Sequence, residues 1–368
     1  MIKRGESMQK VYIDDLRPGM ILAKDIFVSG QLISSKGLIL SDISIEKFYQ
    51  YKLVWIDVED EVSEAFTESV KKDLSYNERV RKSPEFKKFK QRFDDAADTL
   101  KDTLNDVVEK NIPLDVDALL SPVMDTMQSL ETKISVFDMM QNMRNYDDAT
   151  YVHSLNVALI CNIFSRWLDF SNEDTRIATA CGLLHDVGKI TIDKSIIQKP
   201  GKLTSAEYDI IKNHTKSGYD ILIKQDIDEH IKNVALMHHE RYDGTGYPNG
   251  LRGNEIDKFA RLVAIADVYD AMTASRVYRD AMCPFEVISM FEEEGYQKYD
   301  TEYLIKFLDN IENTYLLNRV RLNNGREGEI VFINRDRLSK PTVKCGMDFI
   351  DLSIQKDLFI ESIIYMEI

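Results

Sequence analysis

The six histidines of this 368-residue chain all fall in one stretch of the sequence, and five of them, His153, His185, His214, His238 and His239, stand out. No other feature constrains the fold as much. Each of the five sits at the end of a helical pattern or on an apolar helical face. Two aspartates, Asp186 and Asp267, lie in equally apolar surroundings. Buried imidazoles and carboxylates need partners, and as a set they suit iron, manganese, zinc or cobalt. A fold that uses them together must bring several helices to one point.

The periodicity supplies those helices. "YVHSLNVALICNIFSRWL" carries His153 and follows Asp148 as its cap. A second helix is expected from a capping box at Ser171 and Asp174, through Ile177, Cys181 and Leu184, to His185. Gly188 ends it as a C′ glycine. A third begins at Thr204, with Glu207 completing its capping box and a stripe of Ile210, Ile211 and His214. A fourth, "DEHIKNVALMHHE", ends in His238 and His239. A fifth, "ARLVAIADVYDAMTA", points Asp267 inward, with Asp270 one turn further on the same face. His230 lies in the charged "DIDEHIK" segment and reads as surface.

Adjacent helical residues diverge by about 100°. His238 and His239 therefore both serve only near a helix end, or if each faces a different ion. All the candidate ligands on one octahedral ion would leave no open position. Two ions sharing Asp186 leave room for water. Paired ions roughly 3.5–4 Å apart clamp the attacking and leaving oxygens of a phosphoester displacement, and the water between them is the expected nucleophile. Lys189, just past the glycine, offers a point charge to the phosphate.

Around this section the chain changes character. Residues 1–60 hold a small β-rich module, with the runs "KVYIDDL", "MILAKDIFV" and "LVWIDV" and a short helix capped by Ser41. Residues 61–145 form an amphipathic helical connector, with Phe89, Phe93, Ala96, Leu100, Leu104 and Val107 on one stripe. Two readings of that stripe stay open. It covers the following domain, or it pairs with a second copy as a homodimer through the 84–110 helix. Residues 146–312 are the long helical section that holds the histidines. Residues 313–368 form a second small β module, where Asn324-Gly325 marks a hairpin. The expected class is mainly α, with small β modules at both ends.

A net charge of −15 argues against a nucleic-acid partner, which calls for a basic face. It leaves open a small anionic substrate drawn by local cations. The four scattered cysteines read as reduced thiols. The N-terminus lacks the apolar core of a signal peptide, and no apolar run approaches the ~20 residues of a membrane span. A cytoplasmic protein without membrane insertion is the expectation.

The segments "HSLNVA", "LLHDVGKI", "KPGKLTSAEY", "NHTKSGYDIL", "HHERYDGTGYPNGLRG" and "ARLVAIADVYDAMTASRVYR" resemble, in order, the HD-GYP family of HD-domain metal phosphohydrolases, over a little under half the chain. The resemblance implies a cyclic di-GMP phosphodiesterase that forms linear pGpG, with onward cleavage to GMP left open. It implies two divalent ions, iron or manganese, on His153, His185, Asp186, His214, His238, His239 and Asp267. Lys189 matches the lysine beside the metals and phosphate, and Gly246, Tyr247 and Pro248 match the family's name-giving motif. Arg276 and Arg279 match basic positions on the dinucleotide phosphates, and Asp270, near the site, is expected with Lys189 and Tyr247 among the substrate contacts. Tyr247 either stacks on a guanine or packs on the helices. Some relatives carry a glutamate and a third metal where this chain has Ala149, which favours two metals and pGpG. Val277 replaces a proline. Two competing readings remain: a catalytically weak cyclic-dinucleotide sensor or docking module, and a hydrolase of another nucleotide phosphoester.

Overall fold

A computed structural model describes residues 8–17, 20–28, 31–38, 40, 44–45, 48, 51, 53–59, 80–110, 112–128, 136–141, 143, 149–197, 199, 201–274 and 281–364. The chain divides into two compact units, Met1–Ser75 and Tyr76–Ile368. The first is built on two antiparallel strand pairs. β1 (Met8–Tyr12) and β4 (Trp55–Glu59) align Met8 with Glu59 and Tyr12 with Trp55. β2 (Ile26–Val28) pairs with β3 (Gln31–Ser34). The alternation along these strands buries Ile56 and Val58 against Leu22, Leu40, Ile45 and Phe48 in a small separate core. Ser44, Ile45 and Phe48 are helical, as expected of that segment, and the proposed cap Ser41 lies outside the described residues.

The second unit opens with α1 (Pro84–Lys110), whose first turn is capped by the Ser83 hydroxyl accepting from the Phe86 N–H at 3.0 Å. All six stripe residues from Phe89 to Val107 are buried within the chain. They pack on α2 (Val116–Gln128) and α4 (Ala149–Trp167), the short α3 (Val136–Gln141) lying between these two in sequence. Large apolar residues at that spacing contribute most when fully covered. The stripe therefore belongs to this unit's own core.

At the centre, α4 and α5 (Asn172–Leu184) pack on each other and on α9 (Glu229–Met237) and α10 (Lys258–Thr273). Ser171 caps α5 by accepting from the Asp174 N–H. Between α5 and α9 run a 3-10 turn (Val187–Thr191), α6 (Lys194–Ile197), α7 (Ser205–Lys212) and α8 (His214–Leu222). The capping box of Thr204 and Glu207 is formed. The expected stripe of Ile210, Ile211 and His214 on one helix is not. α7 stops at Lys212, Asn213 joins the two helices, and His214 opens α8, leaving Ile210 exposed. A change of axis at Asn213 breaks the 3.6-residue phase that a single helix would keep.

α11 (Pro284–Met290), a π turn (Phe291–Gly295), α12 (Tyr296–Lys298) and α13 (Thr301–Ile311) complete the helical part. A five-stranded antiparallel sheet follows, from β5 (Arg319–Leu322), β6 (Glu327–Phe332), β7 (Thr342–Cys345), β8 (Asp348–Asp351) and β9 (Ile360–Ile363), in the order β8-β7-β6-β5-β9. The Asn324-Gly325 hairpin is present, with Gly325 at φ 83°. Val320, Ile330, Val343 and Ile350 belong to the same core as the helices. No helix among the described residues is long and apolar enough to cross a membrane.

One buried acid sits where α13 meets the sheet. Glu312 is almost completely buried, and its Oε2 has no hydrogen-bond partner. Burial, then Asp309 and Glu292, push its carboxyl up to about 8, against a smaller opposing pull from Arg335. A folded-state pKa above the unfolded one means that the native state holds the proton. Its contribution is full below the unfolded pKa and is lost as pH rises through about 8. Thermal unfolding of Glu312→Gln and wild type should therefore diverge in the variant's favour between pH 5 and pH 8. Parallel melting curves across that range would show the acid to be silent.

Candidate metal centre

α5 ends at Leu184, His185 keeps helical dihedrals, and Asp186 turns off the helix at φ −101°, ψ 10°. The His-Asp pair thus projects beyond the helix end, as the sequence suggests. Gly188 does not act as a left-handed helix stop. Its φ is not positive, and the chain continues through it into the 3-10 turn. A Cβ at this position would lie 1.9 Å from the His214 carbonyl oxygen and 2.5 Å from the Gly218 nitrogen. Glycine is needed because the turn carrying Asp186 runs directly against α8, which carries His214.

Asp186 lies at the middle of the cluster, and its two oxygens face different histidines. Oδ2 is 3.3 Å from His185 Nε2 and 3.7 Å from His153 Nε2. Oδ1 is 3.3 Å from His214 Nε2 and 3.7 Å from His238 Nε2. Asp267 Oδ1 joins the first group at 3.0 Å from His153 Nε2, and Asp267 Oδ2 lies 3.9 Å from His239 Nδ1. Two ligand groups that could hold an ion result: His153, His185 and Asp186, and Asp186, His214, His238 and His239. His238 caps α9, so the neighbouring histidines leave the helix at its end, where both reach the same region.

The far side of four rings is fixed. Nδ1 of His185 bonds the Gly182 carbonyl at 2.7 Å, that of His214 the Ile211 carbonyl at 2.5 Å, and that of His238 the Val234 carbonyl at 3.0 Å. His153 Nδ1 bonds Asp270 Oδ2 at 2.7 Å. Such bonds orient a ring so that Nε2 faces a cation as an acceptor. Asp270, expected among the substrate contacts, instead stands behind His153. Being one turn after Asp267, it meets the imidazole that Asp267 meets from the front.

The electrostatics match a cation site. Burial pushes the Asp186 carboxyl up, but Lys189, His185 and His214 together outweigh it and hold it well below the usual range. Asp267 is likewise raised by burial and lowered further by its bond to His153. Burial is the first cause that drives His214 and His238 down and takes His239 to about 3. Neutral imidazoles and charged carboxylates are the forms that bind metals. His185 Nε2 and Asp186 Oδ1 are buried without a hydrogen-bond partner, a costly state that a coordinated cation removes. The donor set therefore fits divalent metals.

Lys189 Nζ pairs with Asp186 Oδ2. The Tyr247 ring stands 4.8 Å from the His239 ring, tilted by 32°, and burial raises its phenol far above the ordinary value. Arg276 and Arg279 lie outside the described residues. His230 is partly exposed and bonds Asp257 at 2.6 Å, away from the cluster. Sequence reasoning missed Glu240. It is buried and accepts from the Asn249 and Leu251 N–H groups at 2.7 and 3.0 Å, pinning the loop that carries Tyr247. At Gly246 a Cβ would come within 2.4 Å of the Glu240 Cα, so this loop closes tightly over its anchor. The signal was an acid between the histidine pair and a glycine-rich loop.

A mainly helical unit that converges imidazoles on a shared buried aspartate is a helical domain with a candidate metal site. Residues 128–303 match the HD domain family. That segment is a little under half of the chain, and the similarity to proteins of the HD-GYP kind agrees with it. It is 35% identical over 204 residues to a Pseudomonas aeruginosa protein named cyclic di-GMP phosphodiesterase PA4108, covering 55% of this chain and 49% of that one. A Vibrio cholerae protein named 3′3′-cGAMP-specific phosphodiesterase 3 is 37% identical over 150 residues, 41% of this chain and 33% of its own length. The chain thus spans half or less of these relatives. The solved structure of Bd1817, an HDG"Y"P protein from Bdellovibrio bacteriovorus, shares the fold, with a TM-score of 0.50 at 17% identity over 82% of this chain and 99% of its own.

Gly188→Ala should destabilise the chain by at least about 1–3 kcal/mol, the cost of overpacking a close contact. It should also lower the metal content of the folded fraction, because the Asp186 turn and α8 are forced apart. Denaturant melts with elemental analysis read both. Wild-type stability and metal content in the variant would contradict the packing argument.

Proposed function

We propose that the chain is a metal-dependent phosphodiesterase that hydrolyses cyclic di-GMP to linear pGpG. The observation that carries the reading is the division of labour at Asp186, with one oxygen toward His153 and His185 and the other toward His214 and His238. Two divalent ions are proposed on that set with His239 and Asp267, iron or manganese among the metals that imidazole and carboxylate accept. When bound, such a pair supplies Lewis acidity toward a phosphoryl group and lowers the pKa of the attacking water.

The chain's own residues supply the rest. Buried carbonyl and carboxylate partners hold the imidazoles in one tautomer and direction. Lys189, its Nζ on Asp186, is placed to turn to a phosphate oxygen or the leaving group. The pinned glycine-rich loop sets Tyr247 against His239 as a wall of the site. Asp270 orients His153. Arg276 and Arg279 remain proposed phosphate contacts. The names of the relatives support the substrate class, cyclic dinucleotides built with guanine.

The proposed catalytic domain is 146–312, between modules 1–60, 61–145 and 313–368. A homodimer through 84–110 would have to use the polar side of that helix, since its apolar stripe is covered within the chain. Cys161, Cys181, Cys283 and Cys345 are buried thiols, which supports a reducing, cytoplasmic setting.

The test is turnover of cyclic di-GMP by metal-loaded protein, with Asp186→Ala beside the wild type and circular dichroism confirming the fold. Loss of the shared carboxylate should cost at least about 10³-fold. Equal turnover in both proteins would overturn the assignment.

A further inference from the structure

A cavity of about 460 Å³ borders the metal centre, with His239 and Tyr247 in its lining. Its sides are mostly apolar and aromatic, including Tyr208 of α7, Met272 of α10 and Tyr299. Beside His239, the polar groups in its lining are Arg241, Thr245, Glu294, Lys298 and the tyrosine hydroxyls. The Arg241 guanidinium lies over the Tyr299 ring, 5.1 Å from its centre. At its open rim Lys298 Nζ pairs with Glu294 Oε2 at 2.5 Å, with both side chains exposed to solvent. Tyr208 is exposed, with Lys212 Nζ 5.2 Å from its ring centre. Apolar walls with a few convergent polar groups are the make-up of a small-molecule subsite.

We infer that this cavity takes a purine base of the substrate, guanine in preference to adenine, with Tyr208 as a stacking face and the Glu294–Lys298 pair reading the base edge. The inference rests on the cyclic-dinucleotide reading above and adds the residues that choose the base. Guanine presents two adjacent N–H donors and a carbonyl acceptor along one edge. A carboxylate accepts from both donors, and the neighbouring ammonium donates to the carbonyl. Adenine sets a ring-nitrogen lone pair against the carboxylate and an amino group against the ammonium. Mismatched polar groups of this kind reject a ligand more strongly than lost apolar contact does. Glu294 and Lys298 are one helical turn apart on the stretch that follows α11, so the pair is positioned by the backbone. Tyr208 comes from a different segment, and its stacking serves either base.

Calorimetric titration of the full, metal-loaded chain with GMP and with AMP tests the inference apart from turnover. Wild type should bind GMP at least about tenfold more tightly than AMP, a margin far below that of a buried hydrogen-bonding site because the reading pair is exposed. Glu294→Gln should bring the two within about threefold. Tyr208→Ala should weaken both about tenfold, within the range for one stacked base, and keep the preference. Equal affinities in wild type, no binding of either nucleotide, or an intact preference in Glu294→Gln would each overturn the inference. A GMP preference that Glu294→Gln abolishes, in a protein that leaves cyclic di-GMP uncleaved, would uphold the subsite and sink the proposed activity.

Discussion

The arrangement of the second unit depends on one buried carboxylate. Asp186 is charged, nearly inaccessible and surrounded by four imidazoles and an ammonium. Breaking such a group from its partners costs several kcal/mol, about 3–5 for a buried pair. The elements that carry those partners, α4, the end of α5, α8 and the end of α9, are therefore held at fixed distances by charge as well as by packing. The apolar core alone would tolerate small slides between helices. The carboxylate does not, since each of its oxygens has its own set of histidines.

Backbone shape makes this convergence possible. α5 has to stop one residue before His185 so that Asp186 can leave the helix. The following turn then has to touch α8, and only the missing side chain at Gly188 allows it. The same logic recurs at the loop after His239, where Gly246 lies against the backbone of Glu240 while the Glu240 carboxylate accepts from the far side of that loop. Both glycines serve close approach between backbones.

This explains what could be read from the chain. The helices around the site were legible because their signals are local: apolar periodicity, the Thr204–Glu207 box, the histidine pair at a helix end. The stripe from Phe89 to Val107 was legible as apolar, but not what it packs on, since that depends on α2 and α4, which are distant in sequence. The split at Asn213 was hidden because α7 and α8 adjoin without proline or glycine between them, so a single helix fits the pattern equally well. Asp270 was legible as a neighbour of the site, but its place behind His153 was not. Periodicity fixes the side of a helix, and it cannot tell a group that meets an incoming ligand from one that meets the back of an imidazole. The role of Gly188 was misread for the same reason, because a helix stop and a tight contact look alike in one sequence.

The site also bears on how an acidic protein holds an anionic ligand. The net charge of −15 repels a phosphodiester at long range, but that field is screened within about a Debye length, roughly 8–10 Å in physiological salt. Close to the centre the balance differs. The buried carboxylates of Asp186 and Asp267 face into the cluster and are matched by Lys189 and by the proposed cations, while Arg241 and Lys298 stand at the adjoining cavity. Cations bound there would also act on the fold. A ligand bound only by the native state at a thousand times its dissociation constant adds about 4 kcal/mol of stability, a large share of the ~5–15 kcal/mol that holds a typical domain together. His214, His238 and His239, kept neutral by burial, and two carboxylates kept charged form a cluster that is costly without such ions and is satisfied by them. The same residues therefore set both the proposed chemistry and the rigidity of the helices that carry it.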